Sequence, residues 1–361
     1  MSIKTFAKKA TPLCYMPDGR IVCYKKGSII LLMDGREVSK FPFPVSSKEY
    51  IVGWNKYAIR LMRIGIRAAI ALDSERVLLS QGNIIYEMDL NRSVLSKGWF
   101  CGSGIRPLQF SEIKGIDGFK DGIYFGGYVH NHEKAPVNIY RRKGMDEWEI
   151  VYTFPHGAIN HVHNVVADPY RQCLWVFTGD FDDAAAIWKV TDNFNKVERI
   201  RCGNQKWRGS VVFVLPEGLL YATDTPRSDN YLYLLNPDSM ELKVILPLDG
   251  SCIYGCKWDD SYVLSTTVES NGGEMNFFEN WFGRKRGDGI KDEYVHMYCG
   301  NLNAGFQEIY REKKDCLPFT PFQFGAFRFA VGVNNGNTLF FQPVATNKND
   351  QKLMAYNLKE R

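Results

Sequence analysis

The sequence predicts an all-β fold, and three observations support that prediction. Of the 361 residues, 14% are aromatic, and 32 are glycines, which suit tight turns. Short apolar runs bounded by Gly, Asp or Asn recur along the chain, as in DSERVLLSQGNIIYEMDL. No stretch of about 12 residues shows the apolar spacing of a helix. The pattern over residues 276–282 predicts one helical turn.

The strand-and-turn units repeat with a period of roughly 45 residues, the length of a four-stranded propeller blade. Six of them align on a second strand that precedes a polar loop: ERVLLSQG, DGIYFGGY, QCLWVFTGD, GLLYATDT, SYVLSTTV and NTLFFQPV. A seventh unit is RIVCYKKGSIILLM, near the start of the chain. We therefore predict a single seven-bladed β-propeller domain over residues 1–361.

Two features complete this architecture. The last unit ends near Asn357 without a fourth strand, so residues 3–9 are expected to supply one and leave no long sheet edge unpaired. An insertion at about 269–292 interrupts the period and is rich in Gly, Asn and aromatic residues. Because it begins in a loop between second and third strands, we expect it to overhang the functional cleft.

Charge and cysteine content restrict the class of partner. The net charge is +5, and basic residues alternate with acidic ones, which argues against a nucleic-acid binder and allows an anionic small molecule or glycan. Nine cysteines, without any C-x-x-C pair, indicate reduced thiols. The N-terminus lacks a secretory pattern, and no apolar run approaches the ~18 residues of a membrane span, so we expect a cytoplasmic protein.

Polar residues concentrate in loops that should share one face of the ring. In a propeller, the connections between blades lie on the same face as the loops between second and third strands. The residues concerned are Arg106, His130, His132, His161, His163, Asp180, Asp182, Asp183, Arg208, Asp224, Tyr254, Lys257 and Glu269. A concave site with convergent polar groups is the default prediction for a binding site.

The histidines and arginines suggest distinct roles. His161 and His163 lie two apart on an inner strand and should point the same way, as a general base or as a buried pair bonded to backbone. Arg208 could grip a ligand carboxylate through two hydrogen bonds, or bridge two blades. Beside it, Trp207 could stack on a sugar. Arg106 is a similar candidate, although Pro107 also suits a structural turn.

Other candidates admit two interpretations each. Asp180, Asp182, Asp183 and Asp224 could supply the carboxylate pair of a glycoside hydrolase or cap their own turns. Tyr254 could donate a proton or belong to the core. Four histidines, His130, His132, His161 and His163, could together bind a divalent metal, but their spacing is not diagnostic. We therefore predict neither a metal nor a cofactor.

Two strings resemble a known motif. IYRRKGMDEWEIVYTF, and more faintly VTDNFNKVERI, resemble the Asp-box of sialidase-like propellers, at the turn between third and fourth strands. The first string departs from the motif at Lys143 and Met145. Membership of this superfamily would imply relatives among sialidases, other glycosidases, uronate-cleaving polysaccharide lyases and non-catalytic propellers.

These observations lead to a functional hypothesis. The chain is expected to act on an acidic, uronate-containing oligosaccharide or polysaccharide, with β-elimination preferred to hydrolysis because histidine, tyrosine and arginine converge more clearly than a carboxylate pair. Arg208 would neutralise the uronate, His161 or His163 would remove the proton, and Tyr254 would protonate the leaving oxygen. The predicted substrate contacts are Arg106, His130, Asp180, Trp207, Arg208, Asp224, Lys257 and Glu269.

Two rival hypotheses remain open at this point. The first is a non-enzymatic glycan-binding or polysaccharide-assembly propeller, which agrees with the lack of a secretory pattern. The second is a sialidase-like hydrolase, in which Arg106, Arg208 and Arg227 would surround a carboxylate.

Overall fold

A computed structural model describes residues 3–45, 47–53, 55–271 and 277–357. Within them, seven antiparallel sheets follow one another around a central axis, which confirms the predicted seven-bladed β-propeller. The first strands of neighbouring blades contact each other and line the axis. We call the first strand of each blade its inner strand.

The strands of blades 1 to 5 follow chain order from the axis outwards. Blade 1 contains Thr11–Tyr15, Ile21–Tyr24, Ser28–Met33 and Arg36–Pro42, and blade 2 contains Ala68–Ala71, Arg76–Gln81, Ile84–Asp89 and Trp99–Phe100, with Val94–Leu95 also on its third strand. Blade 3 contains Arg106–Pro107 with Ser111–Ile113, then Gly122–Tyr128, Val137–Gly144 and Glu147–Phe154. Blade 4 contains His161–Asp168, Cys173–Gly179, Ala186–Thr191 and Lys196–Arg201, and blade 5 contains Gly209–Leu215, Gly218–Thr223, Asn230–Leu235 and Leu242–Leu248.

The last two blades include the additions to the regular pattern. Blade 6 contains Cys252–Trp258, Ser261–Thr266, Tyr294–Asn301 and Gly305–Lys313, with Val333–Asn334 added parallel to its inner strand. Blade 7 contains Ala326–Phe329, Thr338–Val344, Lys352–Asn357 and, as its outer strand, Ile3–Lys8. The N-terminal strand pairs antiparallel with the C-terminal one, from Ile3 opposite Tyr356 to Lys8 opposite Lys352. The predicted ring closure is therefore confirmed.

The core lies between blades, where apolar side chains from both faces of each sheet interdigitate. The second strand of blade 4, Cys173–Gly179, is buried at every position because blades 3 and 5 cover its two faces. Asp168 stabilises the turn that leads into this strand, since its carboxylate accepts hydrogen bonds from the backbone of Tyr170 and Arg171 and from the Trp175 indole. All nine cysteines are free thiols.

Four short helices of the described residues lie on one face of the ring. Ser47–Val52 and Lys56–Leu61 connect blades 1 and 2, Phe319–Phe322 connects blades 6 and 7, and Phe277–Phe282 lies in the insertion of blade 6. Single 3₁₀ turns occur at Asp182–Ala184, Asp192–Phe194 and Gln205–Trp207. Sequence analysis missed the first two helices because six residues are too few to display a helical period. We call the face where the inner strands begin the upper face.

No helix among the described residues is long and apolar enough to cross a membrane.

Candidate functional site

Two groups of polar side chains occupy the upper end of the axis. The histidine–carboxylate cluster comes from blades 4 to 6 and consists of His161, His163, Asp180, Arg208, Asp224 and Glu269. The arginine cluster comes from the connection before blade 2 and from blades 2, 3 and 7, and consists of Arg63, Arg67, Arg106 and Arg328. The two clusters therefore draw on separate sets of blades.

His161 and His163 open the inner strand of blade 4 and are almost fully buried, with 4% and 3% exposure. The Nδ1 atom of His161 lies 3.0 Å from the Val129 carbonyl oxygen, and that of His163 lies 3.2 Å from the Gly209 carbonyl oxygen. Their Nε2 atoms face each other at 3.0 Å. Burial lowers the pKa of His161, although nearby Asp180 opposes this.

Asp180 follows the second strand of the same blade and completes this arrangement. Its Oδ1 atom lies 3.3 Å from both histidine Nε2 atoms. Burial alone would raise the pKa of Asp180, but the charge of Arg208 and the adjacent imidazoles hold it well below its usual range. The Asp180 backbone N–H donates to Asn160 Oδ1 at 3.1 Å, which helps to position the carboxylate.

Arg208 immediately precedes the inner strand of blade 5 and binds across to blade 4. Its Nη2 atom lies 2.9 Å from Asp180 Oδ1, and its Nη1 atom donates to the Asp180 carbonyl oxygen at 3.3 Å. The guanidinium thus already binds a carboxylate of the chain itself. This geometry is that of the alternative, an arginine bridging two blades, and the contact of Arg208 with a substrate carboxylate stays a prediction.

Two further carboxylates line the same side. Asp224, in blade 5, accepts a hydrogen bond from Ser210 Oγ at 2.8 Å and lies 4.0 Å from Arg208 Nη2. Glu269, at the end of blade 6's second strand, accepts from Thr267 Oγ1 at 2.7 Å. Burial and the neighbouring charge of Asp224 raise the pKa of Glu269 to about 7.

Replacing Glu269 with glutamine should change how stability depends on pH. The pKa of Glu269 is higher in the folded chain than in the unfolded chain. The contribution of Glu269 to the free energy of unfolding is therefore complete below pH 4.5, the usual pKa of its carboxyl group, and is lost as pH rises through about 7. The variant should lack this loss and exceed the wild type at pH 8 by about 1–2 kcal/mol in free energy of unfolding. Chemical denaturation at pH 5 and pH 8 measures the difference. A matched change of the exposed Glu75 should leave the pH dependence unaltered, and parallel curves for Glu269→Gln and wild type would contradict the prediction.

The arginine cluster lies on the other side of the axis. Arg67 directly precedes the inner strand of blade 2, Arg106 opens that of blade 3, and Arg328 lies within that of blade 7. Arg63 follows the helix Lys56–Leu61. Their positions at or near the starts of inner strands bring four guanidinium groups to the upper end of the channel.

Local contacts hold these arginines without neutralising them. Arg63 Nη2 donates to the Thr320 carbonyl oxygen at 2.8 Å, and Arg67 Nη2 donates to the Arg63 carbonyl oxygen at 3.3 Å. The Arg106 guanidinium carbon lies 5.0 Å from the ring centre of Tyr128. In the same way, that of Arg328 lies 5.8 Å from the ring centre of Tyr254.

The four guanidinium groups form no ion pair with a carboxylate in the part of the chain that the structure describes. Arg63 and Arg67 are both exposed, yet partial loss of hydration and repulsion from Arg328 and Arg106 lower the pKa of Arg67 to about 10. The pKa of Arg63 is lowered for the same reasons. The cluster is therefore an uncompensated positive site.

Of these arginines, sequence analysis had selected Arg106 alone. The rule that inter-blade connections converge would also have identified Arg63 and Arg67, had it been applied to the connection between blades 1 and 2. Arg328 lies inside a strand, so no loop-based rule includes it. The helix that carries Arg63 toward the axis was not predicted, and its position depends on tertiary packing.

Three predicted substrate contacts prove to be elsewhere. Trp207 is 7% exposed and packs in the core between blades 4 and 5, so it cannot stack on a sugar. Lys257 is exposed near the lower end of the blade 6 inner strand, five residues and about 17 Å beyond Cys252. His130 is exposed in a loop and contacts His132, with ring centres 4.3 Å apart, whereas His161 and His163 group with Asp180.

The other predicted residues divide between the two clusters. Tyr254 contacts Arg328, on the side of the arginines rather than beside the histidines. Of the three arginines in the sialidase hypothesis, Arg208 and Arg227 both approach the Phe181 ring, at 5.7 and 4.2 Å, while Arg106 contacts Tyr128.

The insertion of blade 6 lies on the upper face, beside the second-to-third loop of blade 5. Gly289 N–H donates to the Pro226 carbonyl oxygen at 2.8 Å, and Asn230 Nδ2 donates to the Gly289 carbonyl oxygen at 3.3 Å. Phe278 and Phe282 are 72% and 62% exposed. Residues 272–276 lie outside the described part of the chain. The position of the insertion relative to the cleft is therefore given only for its other residues.

Comparisons with known proteins identify the class of fold. The chain is similar to the Swd1 β-propeller domain of Myceliophteria thermophila, with 8% identity, a TM-score of 0.56, and coverage of 98% of this chain and 97% of that one. It is also similar to a chain of the mitotic checkpoint complex, with 9% identity, a TM-score of 0.54, and coverage of 99% and 94%. A third similar structure is the extracellular domain of a putative one-component system from B. thetaiotaomicron, with 11% identity, a TM-score of 0.53, and coverage of 97% and 38%.

No protein-family model and no curated protein matches the sequence. Structural similarity at such low identity shows the propeller fold alone. The function must therefore be argued from the two clusters at the upper end of the axis.

Proposed function

We propose that this propeller binds an acidic glycan, with the glycan's carboxylate held by the arginine cluster. The observation that carries the proposal is the convergence of Arg63, Arg67, Arg106 and Arg328 without an ion-paired carboxylate among the described residues. Guanidinium groups are suited to carboxylates because their planar fork can form two parallel hydrogen bonds.

Electrostatics favour an anion at this position. Arg328 and Arg106 destabilise the charge of Arg67, and a bound carboxylate would offset that repulsion. Arg63 and Arg67 are exposed, so a ligand can reach them from solvent. The site therefore has both the charge and the environment to recognise a negative group.

Aromatic rings and carboxylates nearby suit the rest of a sugar. Tyr128 and Tyr254 lie beside Arg106 and Arg328, and an aromatic ring can pack against the apolar face of a pyranose. Across the axis, Asp224 and Glu269 can accept hydrogen bonds from hydroxyl groups. The modest net charge of +5 disfavours a nucleic acid as the ligand.

Binding without catalysis fits the histidine geometry better than elimination does. The Nε2 atoms of His161 and His163 are buried and face each other and Asp180, so neither is directed at a substrate in the channel. Of the predicted catalytic groups, Tyr254 contacts Arg328 of the arginine cluster, whereas the His161 ring packs on Tyr128 beside Arg106. The similarity of IYRRKGMDEWEIVYTF to an Asp-box adds support for a carbohydrate ligand.

Calorimetric titration with matched oligosaccharides tests this function. A uronate oligosaccharide should bind at least tenfold more tightly than its neutral counterpart, and the difference should shrink at high salt because the attraction is partly screened. Arg67→Gln should weaken uronate binding, whereas Arg92→Gln, which alters an arginine with 83% side-chain exposure, should not. Equal affinity for both sugars would refute the proposal, as would an unaffected Arg67→Gln variant.

The same samples separate other outcomes. Sulfated oligosaccharides, citrate and phosphate show whether the site requires a carboxylate on a sugar or accepts any anion. Ultraviolet absorbance from an unsaturated uronate product would show that the protein is a lyase rather than a binder.

A further inference from the structure

The hydrogen bonds of His161 and His163 determine which ring nitrogens carry hydrogen. A carbonyl oxygen can only accept, so the Nδ1 atoms facing Val129 O at 3.0 Å and Gly209 O at 3.2 Å must donate. In the neutral rings, both Nε2 atoms then bear lone pairs. These two lone-pair atoms face each other at 3.0 Å, with the Asp180 carboxylate beside both.

Three electron-donating atoms so close together repel one another unless a cation lies among them. The two Nε2 atoms and Asp180 Oδ1 form a triangle with edges of 3.0, 3.3 and 3.3 Å. Ligand atoms bound at about 2.0–2.1 Å to one metal ion are about 2.9–3.4 Å apart in octahedral or tetrahedral geometry. The triangle therefore has the dimensions of one face of a coordination polyhedron.

The surroundings of the triangle are those expected of metal ligands. Ligating histidines usually donate their second ring N–H to a carbonyl or carboxylate, as both of these do. The Asp180 carboxylate is oriented by Arg208 Nη2 at 2.9 Å, and its backbone by Asn160. Gly179 provides space for His163, because a Cβ atom at residue 179 would lie 2.6 Å from His163 Nε2.

We propose that His161 Nε2, His163 Nε2 and Asp180 Oδ1 bind a divalent transition-metal ion. Two imidazoles and one carboxylate are a donor set suited to Zn²⁺, Fe²⁺ or Co²⁺. The site differs from the imidazole set considered from sequence, since Asp180 replaces the exposed pair His130 and His132. It does not depend on the proposed glycan function.

Metal binding is tested on chelator-treated full-length protein with Zn²⁺ and Co²⁺. After gel filtration, we expect one equivalent of zinc per chain by elemental mass spectrometry, and visible ligand-field bands on addition of Co²⁺. His161→Gln and His163→Gln should each weaken binding at least about 100-fold, because even partners that only orient ligands contribute about 10–100-fold. The matched controls His130→Gln and His132→Gln should retain full binding.

Three results would overturn the proposal. The first is wild-type protein that retains well under one equivalent of zinc and gives no Co²⁺ bands. The second is loss of binding in the His130 or His132 control. The third is nitrogen NMR of the wild type in excess zinc that shows a hydrogen on an Nε2 atom of either histidine, which would mean that a shared proton occupies the triangle. The wild-type measurements decide the matter even if a variant fails to fold.

Discussion

Replacing Arg60 with leucine should lower the free energy of unfolding by about 3–5 kcal/mol. Arg60 is fully buried, and its Nε atom donates to the Phe322 carbonyl oxygen at 2.6 Å. Its Nη1 atom pairs with Asp315 and, at 3.2 Å, with Asp350. The leucine variant would remove this counterion from Asp350, which is 1% exposed and keeps Lys56 at 3.9 Å, and from Asp315, which keeps its ion pair with Lys314.

Denaturation by guanidinium chloride measures this effect, and a double variant tests its cause. Arg60→Leu combined with Asp350→Asn should be more stable than Arg60→Leu alone, because it removes one of the stranded charges. A loss below about 1 kcal/mol in the single variant would contradict the prediction.

The same contact should affect the binding site. Arg60 joins the helix Lys56–Leu61 to the connection between blades 6 and 7, and Arg63 follows directly after that helix. Loss of Arg60 should therefore also weaken anion binding, by displacing Arg63 and its neighbour Arg67.

Changing Arg67 and Arg328 together to glutamine should reduce uronate affinity by about 100-fold or more. A hydrogen bond to a charged group contributes about 1.5–3 kcal/mol, and 1.4 kcal/mol corresponds to a factor of ten, so the loss of two such contacts gives this magnitude. Stability should be unchanged or higher, because the substitutions also remove the repulsion that lowers the pKa of Arg67. Calorimetric titration and thermal denaturation on the same samples measure both quantities.

The opposite pattern would have a different meaning. If the double variant loses stability but binds uronate as tightly per folded molecule, the arginines are structural and the ligand lies elsewhere. Arg92→Gln again serves as the control, since that side chain projects into solvent.

The sequence by itself determined the architecture of the ring. All six second strands predicted from their apolar runs lie in second strands of the structure, because each is covered on both faces by neighbouring blades and is therefore mainly apolar. The closing strand was predictable because the last unit lacked one strand and the N-terminus offered one. Repetition at a fixed period reflects local strand pairing, which depends on residues close together in the chain.

Tertiary structure decided which polar residues meet. His161 and His163 lie on one strand of blade 4, and Asp180 directly follows the strand paired with it, so their grouping follows from strand register. Arg67 and Arg328, in contrast, are 261 positions apart and meet only because the ring closes. Arg208 forms an ion pair with Asp180 of the neighbouring blade, and Trp207 is buried between blades; neither outcome is visible in the sequence. The sequence shows which residues are charged and which lie in loops. Packing between blades determines which partner each charged residue contacts.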